Sequence, residues 1–349
     1  MQMRLNAGPI IKGALTYVPG LARLMPENCG TSASADYCYG VWLKHLAMLH
    51  AHGAAGLPGT LVELGPGTSL GTGIAALLSG VERYVALDAV PFCDPATNLR
   101  VFDELVELFL KRAGRPAKGW PDFDRHLDDR LFPGRILTDS LLRETLSPGR
   151  IRRLRKAVAE ARPSAEGHGG PVSYLVPWED ESVLPAGSAD LVVTHTVLSH
   201  VNDVHACYRA MKRWLRPGGW MSHQIDFAYP GYDGRWNGYW ACSDAVWKII
   251  RGRRPFGINR LPCSSHATAV ASLGFETVCR MTLTATSGWP RSQLAAPWNG
   301  LSDEDLQCSS LFLIARKPST PHAEGPAAPA ASRRADEAYE DMRVSWQPS

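Results

Sequence analysis

The sequence predicts an α/β fold, a mostly parallel sheet with helices on both faces, from three observations. Short apolar strands alternate with helical segments along most of the chain, a Gly-rich turn joins the first of these strands to a small-residue helix, and a Pro-Gly-Gly turn leads into a late strand.

Taken in order, residues 36–52 (DYCYGVWLKHLAMLHAH) have helical periodicity, and Gly53, Gly56, Pro58 and Gly59 end that helix before an apolar strand at 61–64. The Gly-rich turn 65–73 opens a helix at 74–78, and a second strand at 83–87 ends at Asp88, completing a β-α-β unit. Residues 91–170 interrupt the alternation with an apolar helix near 102–110, a Pro/Gly-rich stretch and a basic helix around 150–162. Insertions of this length serve as lids or substrate walls. Strands follow near 172–176 and 189–194, then a helix at 204–215, the turn Pro217-Gly218-Gly219 and a strand at 220–225. After an aromatic-rich insertion at 227–262, a helix near 266–273 and segments near 276–283 and 311–315 complete the sheet. The expected organisation is an N-terminal helical segment at 1–59, one main domain at 60–316 with insertions at about 91–170 and 227–262, and a disordered tail at 317–349, where Pro, Ala, Ser and charge dominate.

At 349 residues and 45% hydrophobic content the chain can bury one large core with elaborate insertions. Lys+Arg of 37 against Asp+Glu of 34, a formal charge of +3, is too balanced to suggest a phosphate-binding surface, so nucleic acid is a poor first substrate. The eight cysteines include no CxxC pair, which predicts free thiols in a reducing cytoplasm and no metal site. No apolar run near the N-terminus is long enough for a signal h-region or a membrane span, so no integral membrane segment is expected. Weak membrane-surface contact through Ile10, Ile11, Leu15 and Leu21 stays open.

The segment LVELGPGTSLGTG sets an acid, Glu63, near a strand end, then glycines where the backbone must turn tightly and approach a ligand closely. Pro66 and Thr68 spoil a dinucleotide GxGxxG, which disfavours an NAD-dependent oxidoreductase. Asp88, 25 residues beyond Glu63 at the end of the next strand, can accept both hydroxyl protons of a ribose. Further on, SADLVVTHTVLSHV and MKRWLRPGGWMSHQID run acidic residue, apolar strand, helix, Pro-Gly-Gly turn and strand.

In these motifs the chain resembles class I S-adenosylmethionine-dependent methyltransferases, with their E-x-G-x-G, acid, D-x-V and L-x-P-G-G pattern. The resemblance implies a Rossmann-like sheet with S-adenosyl-L-methionine as cofactor. It sets Glu63, Gly65 and Gly67 at the methionine end, Asp88 at the ribose, Trp178, Glu179 and Asp180 near the adenine, and His195 facing the cofactor. For Trp178, stacking and plain core packing are both open.

Methyl transfer from a sulfonium is an in-line displacement, so the protein aligns the acceptor and, for a hydroxyl, removes its proton. His200, His223 and Asp226, projecting from carboxyl ends of neighbouring strands, are the candidate bases, with a satisfied core histidine as the competing account of His223. In the segment after Asp226, Tyr232, Trp236, Asn237 and Trp240 suit a sugar ring, and a helix facing the core explains the same aromatics equally well. The stretches YCYGVWLKHL, ELGPGTSLGTGIAALLSG, SHQIDF and WNGYW resemble a bacterial methyltransferase group associated with surface-polysaccharide synthesis. That resemblance implies a glycan or sugar-nucleotide hydroxyl as acceptor, with the inserted segments as a substrate cap. Ala228, Tyr229 and Pro230 stand where that group has a histidine. O- or N-methylation of a small secondary metabolite, and a non-catalytic cofactor-binding scaffold, remain alternatives.

Overall fold

In a computed structural model the described residues are 7–18, 32–115, 131–166, 169–178, 180–229, 234–254 and 257–319. The expectations for Leu21, Glu179, Tyr232 and the tail beyond residue 319 lie outside them.

The chain opens with α1 (Ala7–Leu15) and α2 (Ala35–Ala51), the latter started by Ser34, whose side chain accepts from the Tyr37 amide. Alternation follows: β1 (Thr60–Leu64), α3 (Gly71–Ser79), β2 (Arg83–Leu87), then α4 (Pro95–Leu110), capped by Asp94 and with Pro at its start. Next come α5 (Asp139–Thr145), α6 (Pro148–Glu160), the short β3 (Pro163–Ser164), β4 (Val172–Leu175) and β5 (Ala189–His195). The rest comprises α7 (Val204–Trp214), β6 (Leu215–Asp226), α8 (Asp244–Arg251), α9 (Cys263–Ser272), β7 (Glu276–Thr284), α10 (Asp303–Gln307) and β8 (Cys308–Arg316).

The eight strands form one sheet in the order β3-β4-β2-β1-β5-β6-β8-β7. All pairings up to β6 are parallel; β8 runs antiparallel between β6 and β7. The α/β, mostly parallel expectation therefore holds. Because β1 pairs with β2 on one side and β5 on the other, the connections diverge there, and an open α/β sheet has its ligand crevice at that point.

Side-chain alternation makes two cores. Leu61, Tyr84, Ala86, Leu191, Val193, Phe312 and Ile314 face α2 to α6, whereas Val62, Leu64, Val85, Leu87, Val192, Leu311 and Leu313 face α7, α9 and the aromatic segment. Helices cover both faces, as predicted. The middle of α2 is enclosed on every side, Tyr39, Trp42 and Leu43 included, so it belongs to the main core.

Two expectations are corrected. Pro217-Gly218-Gly219 does not precede the strand but bulges out of β6: Ala189 pairs with Leu215 and Leu191 already with Trp220. Gly218, at φ +76°, donates to the Lys317 carbonyl, and Lys317 donates back to Gly219. In the aromatic-rich insertion, expected to form a cap, Trp236, Tyr239 and Trp240 are instead core residues, buried on the α7 side of the sheet. Among the described residues no helix is long and apolar enough to cross a membrane.

Candidate active site

A cavity of about 980 Å³ lies at the carboxyl ends of β1, β2 and β5, within the size range of small-molecule sites. Glu63, Gly65, Gly67, Asp88, Trp178, Asp180 and His195 line it together.

The Gly-rich turn makes the cradle. Gly65 and Gly67 have φ of +72° and +77°, where a side chain is strained, and a Cβ on Gly65 would come within 2.5 Å of Val197 Cγ2. Glu63 is buried below the turn and accepts from Tyr84 Oη at 2.5 Å. Burial pushes its carboxyl up to about 7, even though hydrogen bonds from Tyr84, Thr72 and the Gly73 amide favour the charged form. Asp88 Oδ1 accepts from the Ala89 amide at 2.9 Å, while Oδ2 is buried with no partner among the described residues. Burial raises this carboxyl too, to about 7. A buried acceptor that lacks a donor, beside a cradle that tolerates no side chain, fits a ribose held by its hydroxyls and a ligand tail lying against backbone.

At the opposite wall, β5 ends in His195, whose ring meets Tyr37 edge-on at 5.8 Å and His45 at 5.7 Å. His45 is anchored by a 2.7 Å hydrogen bond between Nδ1 and Ser222 Oγ, and burial holds its pKa well below the ordinary histidine value. His200 lines the cavity from the single-turn helix Leu198–His200, and burial lowers its pKa below 6.5. Its imidazole is therefore neutral at pH 7. Trp178 is half-buried and packs edge-on to Trp214 at 6.2 Å. Asp180 caps the following turn through the Ser182 amide.

The other catalytic and substrate candidates lie elsewhere. His223 is wholly buried in the sheet interior, its Nδ1 3.0 Å from Thr194 Oγ1 and its ring against Tyr208, and burial depresses its pKa to about 3. Alternation explains this: Gln224, not His223, pairs with His195, and His223 points into the α7 side of the core. Asp226 is outside the cavity lining and accepts from the Ala228 amide at 2.8 Å. Trp240 donates its indole N–H to the Arg260 carbonyl at 2.7 Å, and Asn237 accepts from the Trp289 amide at 2.6 Å, both fully buried, while Trp236 packs on Trp240. None of these three lines the cavity.

Among the cavity residues that the sequence did not single out are Ser32 and Tyr37. Both precede β1, and Ser32 reaches the Gly-rich turn only in three dimensions, where its Oγ accepts from the Thr68 amide at 2.7 Å. No local pattern announces that contact.

Residues 145–222 match the family model described as a methyltransferase domain. This span runs from the end of α5 into β6 and carries Trp178, Asp180, His195 and His200, but not the Gly-rich turn or Asp88. No curated protein matches the sequence. Among solved structures, the chain is similar to an S-adenosylmethionine-dependent methyltransferase from Mesorhizobium loti, at 17% identity and TM-score 0.39 over 79% of this chain and 97% of that one. It is also similar to a geranyl diphosphate C-methyltransferase from Streptomyces coelicolor, at 15% identity and TM-score 0.37 over 78% and 77%. A third is phosphoethanolamine N-methyltransferase 2 from Haemonchus contortus, at 13% identity and TM-score 0.41 over 86% and 60%. Over residues 145–222 the chain is thus similar to a methyltransferase domain, and that span belongs to a mostly parallel α/β sheet whose carboxyl edge carries the cavity.

Proposed function

We propose that the protein methylates a hydroxyl of a sugar or glycan precursor, with His200 as the general base. The observation that carries this reading is that His200, alone among the three candidate bases, lines the cavity, and its burial keeps it neutral and able to accept a proton at pH 7. Bound S-adenosylmethionine supplies the electrophilic methyl carbon. Glu63, Gly65 and Gly67 hold its amino-acid end, and Asp88 Oδ2 accepts from its ribose. Trp178 and Asp180, which also line the cavity, would meet the adenine. The chain's remaining task is to align the acceptor hydroxyl and remove its proton at His200 Nε2 or Nδ1.

The sugar acceptor is supported by the resemblance of SHQIDF and WNGYW to the surface-polysaccharide group, and by the hydroxyl and amide groups of Ser32, Tyr37 and Asn202 in the cavity wall. A small secondary metabolite as acceptor is the second reading. It gains from the withdrawal into the core of Trp236 and Trp240, the two indoles expected to meet a sugar ring.

Calorimetric titration of S-adenosylmethionine and S-adenosylhomocysteine into the wild type and Asp88→Ala tests the cofactor site. Binding in the wild type that is lost or greatly weakened in Asp88→Ala is expected; no binding to the wild type overturns the reading. Labelled methyl transfer to a panel of sugar nucleotides and of phenolic metabolites then decides between acceptors. His200→Gln should lower turnover by about 10²- to 10⁴-fold with cofactor affinity retained, and undiminished turnover removes His200 as base.

A further inference from the structure

Eight large apolar side chains are exposed among the described residues, and five of them, Ile11, Leu15, Tyr17, Val18 and Ile249, sit on α1, the turn after it, and α8. They form one unit because the two helices touch backbone to backbone. A Cβ on Gly13 would fall 2.0 Å from the Ile249 carbonyl oxygen and 2.4 Å from that of Ile250, so nothing larger than glycine fits. Thr16 Oγ1 locks the seam, donating to the Gly13 carbonyl at 2.6 Å and accepting from the Arg253 amide at 2.8 Å.

The charges around this face have one sign. Residues 7–18 and 244–254 hold Lys12, Lys248, Arg251, Arg253 and Arg254 against a single acid, Asp244, which is already paired with Arg260 at 2.9 Å. Lys12, Lys248 and Arg253 are exposed, and the Arg253 guanidinium lies 5.5 Å from the centroid of the Tyr17 ring. Along α8, Asp244, Ala245, Lys248 and Ile249 are the outward positions, the acid of Asp244 being paired with Arg260, and Trp247 and Ile250 point inward. A contiguous apolar patch rimmed by cations, with an aromatic ring at its edge, matches the headgroup region of an anionic bilayer: acyl chains receive the apolar side chains and lipid phosphates the cations.

We propose that the α1–α8 pair docks the protein on anionic lipid. The unit is fastened to the cavity wall at Arg251, the last residue of α8, whose Nη2 donates to Asn202 Oδ1. Docking therefore holds the loop beside the cavity close to the lipid surface. The proposal stands apart from the acceptor and base assigned above, because it rests on surface residues that do not line the cavity.

The test is co-sedimentation with vesicles of phosphatidylcholine alone and of phosphatidylcholine mixed with phosphatidylglycerol, at low and high salt. The wild type should partition at least about tenfold more strongly onto the anionic vesicles, with salt weakening it. Lys12→Glu combined with Lys248→Glu should lower partitioning by about fivefold or more per cation, and Ile11→Glu with Ile249→Glu should abolish it. Each variant must keep the wild-type melting curve and its shift by S-adenosylhomocysteine, which separates lost docking from lost folding and from failure of the cofactor site. Absence of binding to anionic vesicles, equal binding to neutral ones, or undiminished binding by the Glu variants overturns the proposal. So does a wild-type dimer, seen by light scattering, that Ile249→Glu splits, because the face would then belong to a second copy.

Discussion

Tyr84 Oη and Glu63 Oε2 share a 2.5 Å hydrogen bond across adjacent parallel strands, in a register that pairs Glu63 with Ala86. The same phenol ring fills the space above Gly73, where a Cβ would lie 2.0 Å from Tyr84 Cζ. One side chain thus supports both the buried acid and the helix that follows the Gly-rich turn.

Gly73→Ala should push Tyr84 aside and destabilise the protein by about 1–3 kcal/mol from overpacking, with a further loss of about 1–3 kcal/mol from the unsatisfied buried carboxyl. Tyr84→Phe should show the second effect alone. Thermal melts of both variants check this, and a Gly73→Ala midpoint no lower than that of Tyr84→Phe refutes the packing account.

Asp88 has a pKa of about 7 in the folded chain against 3.8 unfolded, so the folded state holds its proton more tightly between those values. Its contribution to the apoprotein is fully present below about pH 4 and lost as pH rises through about 7, on the order of a few kcal/mol. Relative to Asp88→Asn, the wild type should therefore weaken steadily over that window in urea titrations. Affinity for S-adenosylhomocysteine should move the other way, rising from about pH 6 to about pH 8 in the wild type only, because accepting two ribose hydroxyls favours the carboxylate. A flat affinity profile in the wild type contradicts this.

His223 and His266 behave oppositely. Burial depresses both to about 3, below the ordinary 6.5, so the unfolded state takes up protons first and stability falls as pH drops from 6.5 towards 3. His223→Gln should flatten that acid limb in equilibrium unfolding while methyl transfer at pH 8 persists. A loss of turnover far beyond the loss of folded protein would return His223 to the catalytic group.

Trp240 is fully buried and bonded to Arg260, so Trp240→Ala should cost about 3–5 kcal/mol of stability. Scanning calorimetry measures this directly. A folded variant with normal stability and an altered acceptor KM would instead make Trp240 a binding residue.

Much of this was legible in the sequence because it is local. The run 83–87 is bounded by polar residues and a terminal acid, and β2 occupies those residues. Gly65 and Gly67 announce the positive φ that they adopt. What escaped depends on distant partners. The Pro-Gly-Gly excursion reads as an ordinary turn until Lys317 is seen bridging it, and a Trp-rich stretch has one composition whether it grips a ligand or fills a core. An N-terminal helical segment was expected, but not that α1 is fitted to α8 through Gly13, a contact more than 230 residues away in sequence. His223 was misplaced by one step of a period of two: it shares β6 with Gln224 and faces the opposite side of the sheet.

The insertion of β8 between β6 and β7 also bears on how the chain reaches this shape during synthesis. Within the described sheet β7 touches no strand but β8, so it emerges from the ribosome before its only neighbour exists and waits unattached until residues 308–316 follow. The parallel half, with the cofactor cradle and β6, can assemble earlier, but the outer edge of β6 stays open over the same interval. An unpaired strand edge is a template for other chains. The moment of greatest aggregation risk is thus set by the arrival of Leu311 and Leu313, and a translational pause just before them prolongs it.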